Sequence, residues 1–184
     1  MSHFIVAVFT KKNGLSFEEL LAPYGPIENE SHTRKWDNWK IEEMHSDCLL
    51  RLKGSKKLVS SAKVKDIDFS RNEELYKQVL REWDIAVEHK PIDESERKAF
   101  TLFKEEYYLE RYESRENFAD QVAQFKTYAV ITPDGKWHER GQMGWFGIGN
   151  ETLEQARDWD NNYARKFLET ADPEWTLTII NCHI

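Results

Sequence analysis

Thr127–Asn150, TYAVITPDGKWHERGQMGWFGIGN, is the stretch on which the reading of this chain turns. Tyr128-Ala129-Val130-Ile131 is a short apolar run, Pro133-Asp134-Gly135 is a turn, and Trp137-His138-Glu139 resumes an extended pattern. Pro presets the first turn dihedral and Gly accepts positive φ at no steric cost, so the spacing predicts a β-hairpin. Glycines follow at 141, 144, 147 and 149, interleaved with Met143, Trp145, Phe146 and Ile148. Asn150 stands where it can cap the next helix. This stretch is the first candidate for a ligand-facing surface.

Working outward, His3–Thr10 (HFIVAVFT) and Trp175–Ile184 (WTLTIINCHI) are near-continuous, β-branched apolar runs. Such runs suit strands buried on both faces. With the Tyr128 strand they belong side by side at the centre of a mixed sheet. Trp36–Ile41 alternates well enough for a strand, and the polar segments Cys48–Lys53 and Lys57–Val64 read as strands at an edge or on a solvated hairpin around Gly54-Ser55. Ser16 and Glu19 form a capping box that opens a short helix, Phe17–Leu21, stopped by Pro23. Ser70 with Glu73 reads as a second box. Leu75, Val79, Trp83 and Val87 then recur at spacings of four, predicting an amphipathic helix that ends before Pro91. Further helices are expected over Glu94–Tyr112, Ser114–Phe125 and Glu151–Thr170, the last burying Leu153, Ala156, Trp159, Tyr163 and Phe167 or Leu168. The whole reads as a single α+β domain over residues 1–184, a mixed β-sheet with amphipathic helices packed mainly on one face.

Composition bounds the function. In 184 residues, 40% hydrophobic and 13% aromatic content is ample for a core, which excludes wholesale disorder. A formal charge of −7 disfavours nucleic acid and anionic membrane as partners. No apolar run approaches the roughly 20 residues needed to span a bilayer. The N-terminal residues read as a strand rather than a secretory leader. Cys48 and Cys182 lack C-x-x-C spacing, so reduced thiols and a cytoplasmic location are expected.

Two features carry candidate chemistry. The glycine loop runs into a helix start, where free N–H groups and the helix dipole can hold an anion, with Lys136, His138 and Arg140 adding charge. Its spacing matches neither the Walker loop nor the dinucleotide fingerprint. The second feature is the set of tryptophans outside helix stripes, Trp36, Trp39, Trp137 and Trp145. Such rings can stack on a nucleobase or anchor a protein partner, although their commoner role is core. The candidate ligand-binding set is therefore Trp36, Trp39, Lys136, Trp137, His138, Arg140, Gly144, Trp145 and Asn150. Six histidines show no H-x-x-x-H or H-E-x-x-H pairing. His3 and His183 come close if the first and last strands pair, yet two ligands fall short of a metal centre. No metal, cofactor or catalytic residue is expected. There is no G-x-S-x-G or S-x-x-K motif, and Cys182 and His183, adjacent on a strand, diverge.

The TYAVITPDGKWHERGQMGWFG run and the terminal TLTIINCHI resemble an uncharacterised family of small bacteriophage and prophage proteins. That family carries a T-P-D-G-x-W-H-E-x-G-x-M-G-W block, a following helix and an aspartate-cysteine-histidine ending. HFIVAVFT leading into ELLAPY fits as well. A tryptophan-rich block of the family is matched at Trp36-Asp37 and Ile41, while Glu42, Glu43, Met44 and His45 depart from it. Asn181 stands where the family has aspartate. The resemblance implies a phage origin and supplies no established chemistry. The function expected is a phage accessory protein in the host cytoplasm that counters antiphage defence by sequestering a nucleotide-derived signal without catalysis. Oligomerisation would help enclose such a ligand. The alternatives are an inhibitor that binds a host defence protein directly, and a small nucleotide-processing hydrolase built on His138, Glu139 and Asp134.

Overall fold

The computed structural model describes residues 3–26, 34–43, 45, 48–100, 102–144 and 148–184. They form two compact units, residues 70–125 and the remainder on either side of them. The class is α+β, as the sequence predicts.

The larger unit is organised on strands β1 (His3–Thr10), β2 (Asn38–Ile41), β5 (Ser61–Lys63), β6 (Ala129–Ile131), β7 (Trp137–Glu139) and β8 (Thr176–His183). Their order is β2-β8-β1-β6-β7, with β5 also pairing β8. The three most apolar strands are thus neighbours: β1 pairs β8 antiparallel from His3↔His183 to Thr10↔Thr176, and β6 parallel at Val6↔Ala129. Val6, Ala7, Val8, Val130, Ile131, Ile179 and Ile180 are fully buried, which explains why these strands read as continuous apolar runs rather than alternating ones. The polar strands lie outside this centre. β2 and β5 share the far edge of β8. β3 (Leu50–Arg51) and β4 (Leu58–Val59) form a separate two-stranded ribbon.

Helix α1 (Phe17–Leu21) has the expected capping box, Glu19 N donating to Ser16 Oγ and Ser16 N to Glu19 Oε2. A 3-10 turn through Pro23, Ala22–Tyr24, continues it. Leu20 and Leu21 pack against Phe4, Val6, Val8, Ala129, Ile131, Ile180 and Cys182, so α1 covers one face of the sheet. Helix α6 (Leu153–Tyr163) lies over the opposite face. There the Trp159 indole N–H donates to the Thr127 carbonyl (3.0 Å) and the Thr127 and Tyr163 hydroxyls are 2.9 Å apart.

The smaller unit consists of α2 (Glu73–Ala86), α3 (Glu94–Ala99), α4 (Glu105–Tyr112) and α5 (Arg115–Ala123). Val79 and Trp83 from the predicted stripe join Tyr108, Tyr112, Phe118 and Ala119 in its core. The cap of α2 differs from expectation: Asn72, not Ser70, accepts the N–H groups of Glu74 and Leu75. Asn two residues nearer the helix reaches two orphan donors at once, which Ser70 is too distant to do. The continuous helix expected over Glu94–Tyr112 is two helices, because the backbone is extended at Phe100.

Candidate functional site

The β6–β7 hairpin forms as predicted. Gly135 takes φ of +83°, its N–H donates to the Thr132 carbonyl (2.8 Å), and Thr132 Oγ1 donates to Asp134 Oδ1 (2.6 Å). Strand alternation sends Trp137 and Glu139 to the α1 face and His138 to the α6 face. The two faces then receive quite different surroundings.

On the α1 face the tryptophans are packing. Trp137 stacks at a tilt on Tyr24 (5.0 Å) and meets the Phe4 ring edge-on (6.5 Å). Its indole N–H donates to Glu139 Oε2 (2.7 Å), and Lys35 Nζ pairs with Glu139 Oε1 (2.6 Å). Trp36 is 8% exposed and lies so close to Gly25 that a Cβ there would fall 2.6 Å from the ring. Trp39 meets Phe17 edge-on at 5.6 Å. Trp36 is core, and Trp39 and Trp137 are partly buried rings packed against the same cluster.

The glycine loop also differs from expectation. Gln142 and Asn150 bond reciprocally, Gln142 N to Asn150 Oδ1 (2.8 Å) and Asn150 N to the Gln142 carbonyl (3.1 Å). Gly144 N donates to the Ile148 carbonyl (3.0 Å). Asn150 and Gly144 are therefore rungs of a small ladder. The cap of α6 is Thr152, in a reciprocal box with Gln155. Arg140 is paired with Glu151, and the Arg140 guanidinium lies 5.5 Å from the centre of the Tyr128 ring. An anion here would compete with a carboxylate already seated, so the anion-loop expectation is not favoured. Lys136 is exposed and paired with Asp134 (2.8 Å). Trp145 lies outside the described residues.

Beside α6 an open cleft of about 760 Å³ is lined by Thr132, His138, Glu139, Arg140, Glu154, Gln155, Asp158, Trp159, Lys166 and Phe167. Its floor is aromatic: Phe167 lies 5.2 Å from the His138 ring and 5.4 Å from Trp159. The far wall depends on a local anomaly. After Tyr163 the helix widens into a π-turn, Ala164–Leu168, closed by Glu169 N donating to the Ala164 carbonyl (2.9 Å). Such turns recur at functional sites because the extra residue re-aims the side chains that follow. Here they are Lys166 and Phe167. Lys166 Nζ pairs with Asp158 Oδ2 (2.8 Å) at the rim. Burial lowers the His138 pKa below the ordinary imidazole value; Asp134 opposes this and Lys136 and Lys166 reinforce it. The ring is held neutral near pH 7, with one donor and one acceptor nitrogen.

Of the nine candidate residues, the structure brings His138 and Arg140 to this cleft. Sequence reading missed Thr132, Gln155, Asp158, Trp159, Lys166 and Phe167 as a group. Their signal was present in part, since Gln155, Asp158 and Trp159 share one helix face at spacings of three and four. Glu139 also borders the cleft beside His138, its carboxylate held by the Trp137 indole N–H and Lys35. Among the described residues, no group of three or more His, Cys, Asp and Glu side chains is placed to hold a metal ion, and no helix is long and apolar enough to cross a membrane. Comparison of the chain with protein-family models, curated proteins and solved structures found no match.

Proposed function

We propose that the protein binds a small nucleotide-derived molecule in the cleft over His138 and holds it without converting it. The observation that carries this reading is the cleft itself, in which the partly exposed His138 ring is backed by the nearly buried Phe167 and Trp159 beneath a polar rim. A planar base can lie against the His138 ring, and Thr132 and Gln155 offer hydrogen bonds to its edges. Sequestration is favoured over hydrolysis because two carboxylates bordering the cleft are already paired, Glu139 with Lys35 and Asp158 with Lys166. With the phage resemblance, this supports an accessory protein that removes a defence signal in the host cytoplasm.

The test is native mass spectrometry of the protein purified from its expression host, followed by denaturation and mass analysis of what is released. An intact nucleotide-derived molecule is expected, with occupancy falling at least tenfold in Phe167→Ala and unchanged in Trp39→Ala. Release of a processed product on incubation with nucleotides, or an empty cleft after exposure to a nucleotide panel, would overturn it. The same spectrum gives the subunit count. A second reading, capture of a host protein, is favoured by the exposed Leu102, Phe103 and Leu109 of the smaller unit, Phe103 being 56% exposed.

A further inference from the structure

The ends of β1 and β8 carry a feature that the cleft does not use. His3 and His183 are register partners, and their rings lie 5.0 Å apart at an interplanar angle of 64°. Each ring has its Nδ1 engaged by a side-chain oxygen: His3 Nδ1 is 3.0 Å from Asn181 Oδ1, and His183 Nδ1 is 2.5 Å from Asp37 Oδ1. Behind them Asn181 Nδ2 donates to Glu42 Oε2 (2.6 Å), and Glu42 is fully buried, so the oxygen facing His3 is itself held in place. This is the outer arrangement found behind metal-ligating histidines, in which an oxygen acceptor on one nitrogen sets the tautomer and leaves the other nitrogen's lone pair for the metal. The spacing agrees. Two imidazoles on one tetrahedral ion, with metal–nitrogen bonds of about 2 Å, set their ring centres about 5 Å apart.

We propose that His3 and His183 form a two-histidine site for a borderline transition-metal dication such as Zn²⁺ or Cu²⁺, with water completing the coordination. The site clips the first strand to the last through the Nε2 atoms, while Asp37 and Asn181 orient the rings. Imidazole ligands select this class over Mg²⁺ and Ca²⁺, which prefer oxygen, and Cu²⁺ is expected to bind more tightly than Zn²⁺. The proposal does not depend on the nucleotide reading.

The test is calorimetric titration of tag-free protein with Zn²⁺, Cu²⁺ and Mg²⁺, with thermal unfolding followed in parallel. One equivalent of Zn²⁺ and Cu²⁺ is expected to bind, Mg²⁺ is not, and the melting temperature rises with metal because only the native state brings the two rings together. His3→Gln is expected to weaken Zn²⁺ at least tenfold and abolish the melting shift, with metal-free unfolding unchanged. His89→Gln, at another exposed histidine, retains both. Should His183→Gln unfold the sheet end by losing Asp37, His3→Gln alone decides. Stoichiometric Zn²⁺ binding that survives His3→Gln, or binding of Zn²⁺ no tighter than Mg²⁺, would overturn the site.

Discussion

The two faces of the β6–β7 hairpin start from adjacent residues and end in opposite environments. Trp137 points into a packed layer of Tyr24, Phe4 and neighbouring tryptophans. His138, one residue later, lines an open cleft. The difference teaches that aromatic richness does not mark a ligand surface. The tryptophans concentrate where α1 is only five residues long and large rings must finish the covering. The cleft lies where a longer helix departs from regular geometry and leaves His138 partly exposed.

The strongest way to break the comparison is Trp36→Ala. If the α1 face is core, this change costs about 3–5 kcal/mol in urea unfolding, while ligand affinity of the folded fraction stays constant. Loss of affinity without loss of stability would return the tryptophans to the site. Next comes Glu151→Ala, which leaves Arg140 without its carboxylate at the hairpin's exit. With side chains 27% and 11% exposed, the pair is partly buried, and about 2–3 kcal/mol is expected. Arg140→Met with Glu151→Leu should recover most of it, as chemical denaturation of the double variant will show.

Gly25→Ala sharpens the packing argument at smaller scale. Gly25 has φ of −83°, which alanine accepts, so only the approach to Trp36 opposes the substitution. A loss of about 1–2 kcal/mol is expected, and Gly25→Ala combined with Trp36→Phe should be less than additive. The smallest effect belongs to His138. Its folded pKa lies below the unfolded value, so the unfolded chain takes up the proton first as pH falls. The neutral ring's contribution is whole above the unfolded value of about 6.5 and is lost as pH drops towards the folded value. His138→Gln should flatten the stability profile in that window. In NMR, the His138 ring should titrate below an ordinary imidazole, and an ordinary midpoint would contradict its partly buried placement.

Much of this was legible because it is local. The turn chemistry of Pro133-Asp134-Gly135, the Ser16/Glu19 box and the apolar runs of the three central strands all act within a few residues, and each appears as read. The alternation that separates Trp137 from His138 was legible too. Misreadings arose where two local solutions competed: Asn150 and Ser70 are competent caps, but Thr152 with Gln155 and Asn72 stand closer to the orphan N–H groups. The cleft was not legible because it depends on the π-turn. A periodicity of 3.6 carried past Tyr163 leaves Phe167 and Leu168 as alternatives for burial; one wider turn buries Phe167 and brings it, with Lys166, to the cleft.

The pairing of β1 with β8 has a consequence in time. Thr10 and Thr176 are 166 positions apart, yet β8 is an inner strand of the sheet, with β1 on one side and β2 and β5 on the other. During synthesis, β1 emerges early and must wait for its principal neighbour until nearly every other described residue has been made. Residues 70–125, a continuous segment with a core of its own, face no such delay. A chain interrupted before Thr176 would therefore carry a finished helical unit and a sheet without β8, with the apolar edge of β1 open to chaperones or to other nascent chains.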